Sequence, residues 1–463
     1  MMSRYSIKNL LFPPYFKAKE VTMRPAKNML FYLAGLCLAG SAIAGGTTSG
    51  SLDTSFGKRG AVVSSFSGAA LSINLQADGK SVATGLGNNL ARYNTDGSLD
   101  ISFGSGGVVN TGYQTSSIIQ TDGKIIVFGQ DPVNNSTAVI KRYNSNGTLD
   151  NTFGVNGVVV PNFGADARYG LSVVKQQADG KILVGGQIVT NTFTYYDGWT
   201  MTTRTDVGGL MARFNANGSA DTSFGNNGVV INFANSAATD NRIHGLTVQE
   251  NGQIVTTGSN PTLARYNVNG TLDTTFGTNG KVFDTRFDDP SLSIPPYVAA
   301  GDVFIDSNGK ITTALVRTWV AYNMNPILVR YNSDGTPDNL FGTVGAVRIG
   351  DAYAVNTYYT LSGLAFQNGK IIISGAKITD TYNSRHNTWT TTRASILGRY
   401  QSNGAIDTIF GNAGLVTTTI NGNDFVVNDV VIQGDGKIVA AGMTDTDSSA
   451  AVVNNFALTR YNP

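Results

Sequence analysis

The chain of 463 residues contains one cysteine, Cys37, which lies within the first 44 residues, so no disulfide framework holds the rest together. Histidine is almost as scarce, with only His244 and His386, which leaves little material for imidazole acid–base chemistry. Charged residues make up 14% of the chain. Of 33 basic and 31 acidic side chains, six and one fall within residues 1–44, leaving 27 against 30 and a net charge of −3 in the remainder. That balance, without a clustered basic face, excludes a nucleic-acid footprint. No zinc-ligand cluster, GxSxG elbow or phosphate-binding loop is present. No segment after residue 44 reads as a helix.

What the sequence has instead is glycine, asparagine, threonine and serine, and repetition. The phrase RYNTDGSLDISFG runs over residues 92–104, and copies begin at Arg92, Arg142, Arg213, Arg265, Arg330 and Arg399. Each arginine is followed eight residues later by an aspartate: Asp100, Asp150, Asp221, Asp273, Asp338 and Asp407. Arg460 near the C-terminus and Asp53 near the start of the repeats are the two halves of a seventh copy. A second phrase lies between these copies: DGK at Asp78, Asp122, Asp179 and Asp435, NGQ at Asn251, and NGK at Asn308 and Asn368. It also occurs seven times.

Each unit reads as four strands. In the third, residues 171–176 alternate into the Asp179-Gly180 turn and 181–186 run back, a strong hairpin signal because both turn residues tolerate positive φ. Residues 210–215 and 228–233 supply the other two strands. Spacings of 44 to 72 residues between successive turn glycines suit propeller blades better than thin solenoid coils. The expected fold is all-β: a seven-bladed β-propeller with four antiparallel strands per blade. A ring can split one unit between its termini, whereas an open stack needs capping units. The last blade is therefore expected to take strands a to c from residues 427–433, 437–443 and 455–462, and strand d from 60–66.

These recurring DGK and RYN…LD..FG phrases resemble the delta-60 repeat, a bacterial secreted β-propeller family whose biochemical role is not established. The likeness covers residues 51–462 and departs from the pattern at Asn251-Gly252-Gln253, where lysine is lost, and at Ala314, where most units have glycine. It implies a propeller outside the cytoplasm and no particular activity. The leader reads the same way. Arg24 and Lys27 precede an apolar stretch at 29–39 and a small-residue site, Ala42-Ile43-Ala44, as in a secretory signal starting at Met23 and cleaved after Ala44. Residues 1–22 then precede the true start, and 45–463 form a single propeller domain. The apolar stretch is too short for a good membrane span, though an uncleaved anchor is the alternative. The expected location is secreted or periplasmic, without stable membrane insertion after cleavage.

The seven Arg–Asp pairs are read as architecture, each arginine clamping the following loop through its aspartate in bidentate geometry, because a binding site needs only one copy. The phenylalanines of the FG pairs, Phe56, Phe103, Phe153, Phe224, Phe276, Phe341 and Phe410, are expected to wedge between blades. Turns such as Asn94-Thr95-Asp96-Gly97 resemble the start of a calcium loop. Most copies are neutral, as at Asn144-Ser145-Asn146-Gly147, and calcium needs several carboxylates. Neither a metal nor a cofactor is expected.

In an up-and-down blade the a–b and c–d connections share one face, and the b–c and d–a connections share the other. The repeats lie on the first face and the variation on the second, where a rigid scaffold carries binding loops. All three tryptophans fall in b–c connections. The third unit has Tyr196, Trp199 and Arg204 within 191–206; the fifth has Arg317, Trp319 and Tyr322; the sixth has Tyr382, His386, Trp389 and Arg393 within 379–393. The d–a loops are expected to add Tyr169, His244, Asp288, Asp289, Tyr297, Tyr353, Tyr358 and Tyr359. These aromatics either pack hairpin arms together or present a surface for sugars or proteins. The leading reading is a non-catalytic recognition or scaffold module for a glycan, peptide or envelope partner. An extracellular glycan lyase or hydrolase at the central channel, and a structural surface or adhesion component, stay open. The oligomeric state is not readable.

Overall fold

The computed structural model describes residues 48–112, 114–130, 138–163, 168–196, 201–232, 241–258, 262–284, 286, 298–317, 325–350, 356–445 and 454–463. Within them lie seven four-stranded antiparallel sheets, each with strand order a-b-c-d. Strands a of successive blades pack on one another around the axis, and strands d form the rim. Blade 3 is representative, with Arg168–Gln176, Ile182–Tyr196, Met201–Phe214 and Val229–Asn232 as strands a to d.

The ring closes through a shared sheet. Strands a to c of blade 7 are Phe425–Ile432, Ile438–Asp445 and Asn454–Tyr461, and strand d is Ala61–Ser67. Val62 pairs directly with Leu458, and Ala61 with Thr459. N-terminal strand and C-terminal hairpin thus complete one sheet, which removes the edge that an open array would expose.

Local chemistry explains why every blade is alike. At the a–b turn the Asp Oδ1 accepts the Lys N–H two residues on, at 3.1 Å from Lys80 to Asp78 and 3.0 Å from Lys437 to Asp435, an Asx turn that stands in for a backbone turn. In six of the seven blades strand a carries a bulge, as between Ala70 and Ser72, while the ladder of blade 2 runs on without a shift. The bulge pushes a carbonyl against strand b, where a Cβ on Gly85 would sit 1.9 Å from Ala69 O. Glycine is therefore required at Gly85. In blade 5 the residue at this register, opposite Ala300, is Leu315, which corrects the expectation that Ala314 replaces the glycine.

Between blades, the seven FG phenylalanines are almost fully buried. Phe103 sits among Val82 and Leu90 of blade 1 and Ile125, Val127 and Tyr143 of blade 2, and the other six fill equivalent junctions. Over each ring lies the guanidinium of the same unit, its carbon 4.5 to 4.7 Å from the centroid. The arginine is held at one end by its aspartate. Arg142 Nε donates to Asp150 Oδ2 at 2.7 Å, and Arg92 Nε to Asp100 Oδ2 at 2.8 Å. At the other end it reaches the next blade, with Arg92 Nη1 donating to Ser145 O and Arg142 Nη1 to Ala216 O, both at 2.6 Å.

This geometry differs from a bidentate fork. The aspartate divides its oxygens, Oδ2 serving the arginine and Oδ1 taking the N–H and hydroxyl two residues on, as with Thr152 on Asp150. Such sharing leaves a guanidinium nitrogen for the neighbouring blade. The turn lysine joins the same Oδ2, with Lys124 to Asp150 at 3.0 Å. Where blade 4 has lost that lysine, Gln253 Nε2 donates to Asp273 Oδ2 at 2.8 Å. At the seam, Arg460 and Lys437 of the C-terminal strands meet Asp53 of the N-terminal segment. Ser49 there accepts the Arg399 guanidinium, filling the role of the turn that follows RYN in other blades.

Two predictions follow from these ties. Deleting Asn454–Pro463 removes the strand between Ala61–Ser67 and Ile438–Asp445, and a far-UV circular dichroism melt should show loss of the single cooperative transition for the whole ring. Asp150→Ala should lower unfolding free energy by about 3–5 kcal/mol at pH 7, since it leaves a buried guanidinium unpaired. Burial by itself would raise the Asp150 carboxyl, but the Thr152 hydroxyl and the Lys124 and Arg142 charges outweigh it and hold it well below its ordinary 3.8. A depressed carboxyl contributes its stability above the unfolded pKa and loses it below. Urea titrations from pH 5 to about pH 2 should therefore show wild type falling toward the variant.

Candidate functional site

The two repeated connections lie together on one face of the disc, as the Lys80 to Asp100 ion pair at 2.8 Å shows. On the other face the b–c hairpin of blade 6 stands out. Strands Lys370–Asn383 and Thr388–Tyr400 continue their ladder without a break up to the Asn383–Thr388 pair. The extra residues are an extension of the sheet itself, so their positions inherit the rigidity of the blade.

Strand alternation sorts the extension into two faces. One is threonine-rich, with the cross-strand pairs Thr381–Thr390 and Thr379–Thr392. The other carries Tyr382 opposite Trp389, Asp380 opposite Thr391, and Arg393 opposite Ile378. This second face continues the register of Ile372, which packs on blade 7. The Tyr382 and Trp389 rings lie 5.1 Å apart, tilted by 43°, yet remain 46% and 61% exposed. Their mutual packing leaves most of the indole in water.

Polar groups fix this array. Tyr382 Oη donates to Asn387 Oδ1 at 2.7 Å, and Thr391 Oγ1 to Asp380 Oδ1 at 2.6 Å. At the hairpin base, Arg393 N–H donates to Asp424 Oδ1 at 2.9 Å, tying the arm to the connection into blade 7. Tyr358 of strand a, Thr357–Gln367, lies at the foot of this face. Burial raises its hydroxyl pKa, the Asp380 charge adds to the rise and the Arg393 charge opposes it. His386 sits in the exposed hairpin tip, where its N–H donates to Asn383 O at 3.3 Å.

The blade 3 hairpin repeats this design as far as the structure describes it. Tyr196 ends strand b opposite Met201, and Arg204 pairs with Phe193. The side chains of Tyr196 and Arg204 lie outside the described residues, as do Trp199, Trp319, Tyr322, Asp288, Asp289, Tyr297 and Tyr353. Four residues expected in d–a loops belong to strands a instead: Tyr169, His244, Tyr358 and Tyr359. Tyr169 is buried with its hydroxyl on Pro161 O, and Tyr359 packs into the junction of blades 5 and 6. The innermost strands start earlier than the turn spacing suggests, because their first residues pair with strand b, as Arg168 does with Val189, Ile243 with Gly258 and Thr357 with Thr379.

His244 turns instead toward the axis. It lines a central cavity of about 430 Å³ together with Lys175, Asp302 and Asp429, charged residues that sequence reasoning missed. The signal was available: Asp302 and Asp429 each stand six residues ahead of a turn residue, Asn308 and Asp435, as does Ser362 ahead of Asn368. Asp429 Oδ2 accepts the Ile73 N–H of blade 1 at 2.9 Å, and Oδ1 its neighbour Val430 N–H at 2.8 Å. Burial pushes its carboxyl up to about 7 against those hydrogen bonds, with the Asp302 charge adding to the rise. Among the described residues no cluster suited to a metal ion occurs.

Residues 76–103, 120–153, 177–224, 249–276 and 306–341 match the family described as "Domain of unknown function (DUF5122) beta-propeller". Each match runs from the a–b turn to the FG phenylalanine of blades 1 to 5, the part of the blade that carries the clamp. These matches support a β-propeller repeat family of unknown function. No curated protein matches the sequence. Similar solved structures are diverse propellers. One is a fungal alcohol oxidase of the AA5 family in complex with copper, 14% identical over 87% of this chain and 75% of that one, with a TM-score of 0.45. Another is a protein of unknown function from Dyadobacter fermentans, 11% identical over 86% and 97%, with a TM-score of 0.37. YCF48 bound to D1 peptide is 8% identical over 91% and 99%, with a TM-score of 0.42.

The exposure of the hairpin makes a direct prediction. Trp389→Ala removes a ring that is 61% exposed and supports no core, so the melting temperature should stay within about 2 °C of wild type, corresponding to less than about 0.5 kcal/mol. A large loss on differential scanning calorimetry would show instead that the indole is structural.

Proposed function

We propose that the protein is an exported, non-catalytic recognition propeller that binds a glycan through the aromatic face of its blade 6 hairpin. The observation that carries this reading is the exposed Tyr382–Trp389 pair beside Asp380 and Arg393 on one face of a rigid sheet extension. Two adjacent aromatic rings offer apolar area at small entropic cost, suited to the C–H faces of a sugar. A carboxylate and a guanidinium alongside them suit its hydroxyls. Export is our reading of the leader, residues 23–44, and of the likeness to delta-60 repeats, and the periplasm or the cell exterior is the location proposed with it. The sparse charge of the chain agrees with recognition of a neutral, hydroxylated partner.

The test is a fluorescence and pull-down titration of the purified protein against soluble oligosaccharides and insoluble polysaccharides. Saturable binding that falls about tenfold or more in both Trp389→Ala and Tyr382→Ala supports the proposal, a loss of the size expected for aromatic anchors. Binding only to peptides, self-association without any sugar, or sugar binding that both variants retain would each sink it.

A further inference from the structure

The central cavity has a charge arrangement that the fold does not require. Six residues ahead of each turn, blades 1, 2 and 6 place Ser72, Ser116 and Ser362, and blades 5 and 7 place Asp302 and Asp429. Serine at this register already ties neighbouring blades. Ser72 Oγ accepts the Ser117 N–H at 3.1 Å, and Ser362 Oγ donates to Val427 O at 2.6 Å. Asp429 makes a comparable tie to Ile73, but it also brings a charge into a partly desolvated channel, which costs free energy that serine avoids.

The charges are distributed by sign. Lys175, His244, Asp302 and Asp429 are the ionisable side chains among the described lining residues, and they come from blades 3, 4, 5 and 7. In a ring of seven, blades 3 and 4 stand across the axis from blade 7, so Lys175 and His244 belong to the part of the cavity wall opposite Asp429, and the Lys175 charge acts on that carboxyl. Lys175 makes no salt bridge among the described residues. Apolar groups such as Leu71, Val173 and Leu364 complete the wall. A volume of about 430 Å³ lies in the range of small-molecule sites.

We propose that this channel binds a small zwitterion of the amino-acid class, its ammonium between Asp302 and Asp429 and its carboxylate on Lys175. An ammonium between the two carboxylates cancels their repulsion and restores the hydrogen bonds lost with water, while Lys175 gains the anion it lacks. The apolar wall covers the connecting carbons. Because burial holds the Asp429 carboxyl at about 7, with Asp302 raising it and Lys175 lowering it, binding of a cation at neutral pH must drive a proton off it.

The test is isothermal titration calorimetry of the full chain with α-amino acids and with 4-aminobutyrate and 6-aminohexanoate, against butylamine and butyrate as controls. Expected is saturable binding of at least one zwitterion, about tenfold or more tighter than either control. The heat should depend on the buffer near pH 7, reporting proton release, and that dependence should fade by about pH 8.5, where Asp429 is already ionised. Asp302→Asn and Lys175→Met should each weaken binding about tenfold with an unchanged circular dichroism spectrum, and Trp389→Ala should have no effect. Absence of heat from every zwitterion up to about 10 mM, butylamine binding as tightly as the zwitterions, or wild-type affinity in both channel variants would overturn the proposal.

Discussion

The structure depends on a cation held between two blades. Each guanidinium lies on the phenylalanine that fills the junction, is anchored by its own aspartate, and donates onward to a carbonyl of the next blade. Sheet packing by itself would let blades slide or tilt, since apolar contact is not directional. The arginine adds direction, and the FG glycine adds a second strap, its N–H donating to the next turn, as from Gly154 to Asn217 O at 2.8 Å. Repeated around the ring, these short links set the angle between neighbours and hence the number of blades that closes.

A ring stiffened on one face leaves the other free to vary. The repeated turns all meet on the clamped face, so insertions there would break the straps. On the opposite face a b–c connection can lengthen by continuing its own ladder, as blades 3 and 6 do. The blade 6 extension thereby carries exposed aromatics on a rigid support rather than on a loop, which limits the entropy lost on binding. The channel follows the same logic from within. Its inner strands share one backbone path, so a single register can hold serine in one blade and aspartate in another without disturbing the fold.

Much of the architecture was legible in the sequence because it rests on local rules repeated many times. Asp-Gly and Asn-Gly turns with flanking apolar runs mark the hairpins, and the split phrase at the termini marks the closure, with Val62 meeting Leu458 as the strand assignment requires. The clamp was only partly legible. A spacing of eight joins Arg142 to Asp150, yet nothing in that spacing shows the second nitrogen reaching Ala216, which lies in another unit. The sequence also assigned His244 to a surface loop. Strand ends are set by pairing with a neighbour, and the length of that neighbour was not visible in the turn signals.

The amino-acid sequence alone therefore determined the strands, their grouping in fours, the sevenfold count and the seam, because turn chemistry and periodicity act over a few residues. Tertiary structure alone decided which side chains share a space. Asp302, Asp429 and Lys175 are separated by more than a hundred residues from one to the next, and only the convergence of the innermost strands on the axis brings them around one cavity. Tyr382 and Trp389 became neighbours with outward faces only once the hairpin register was set. Local patterns specify elements, while sites arise where distant elements meet.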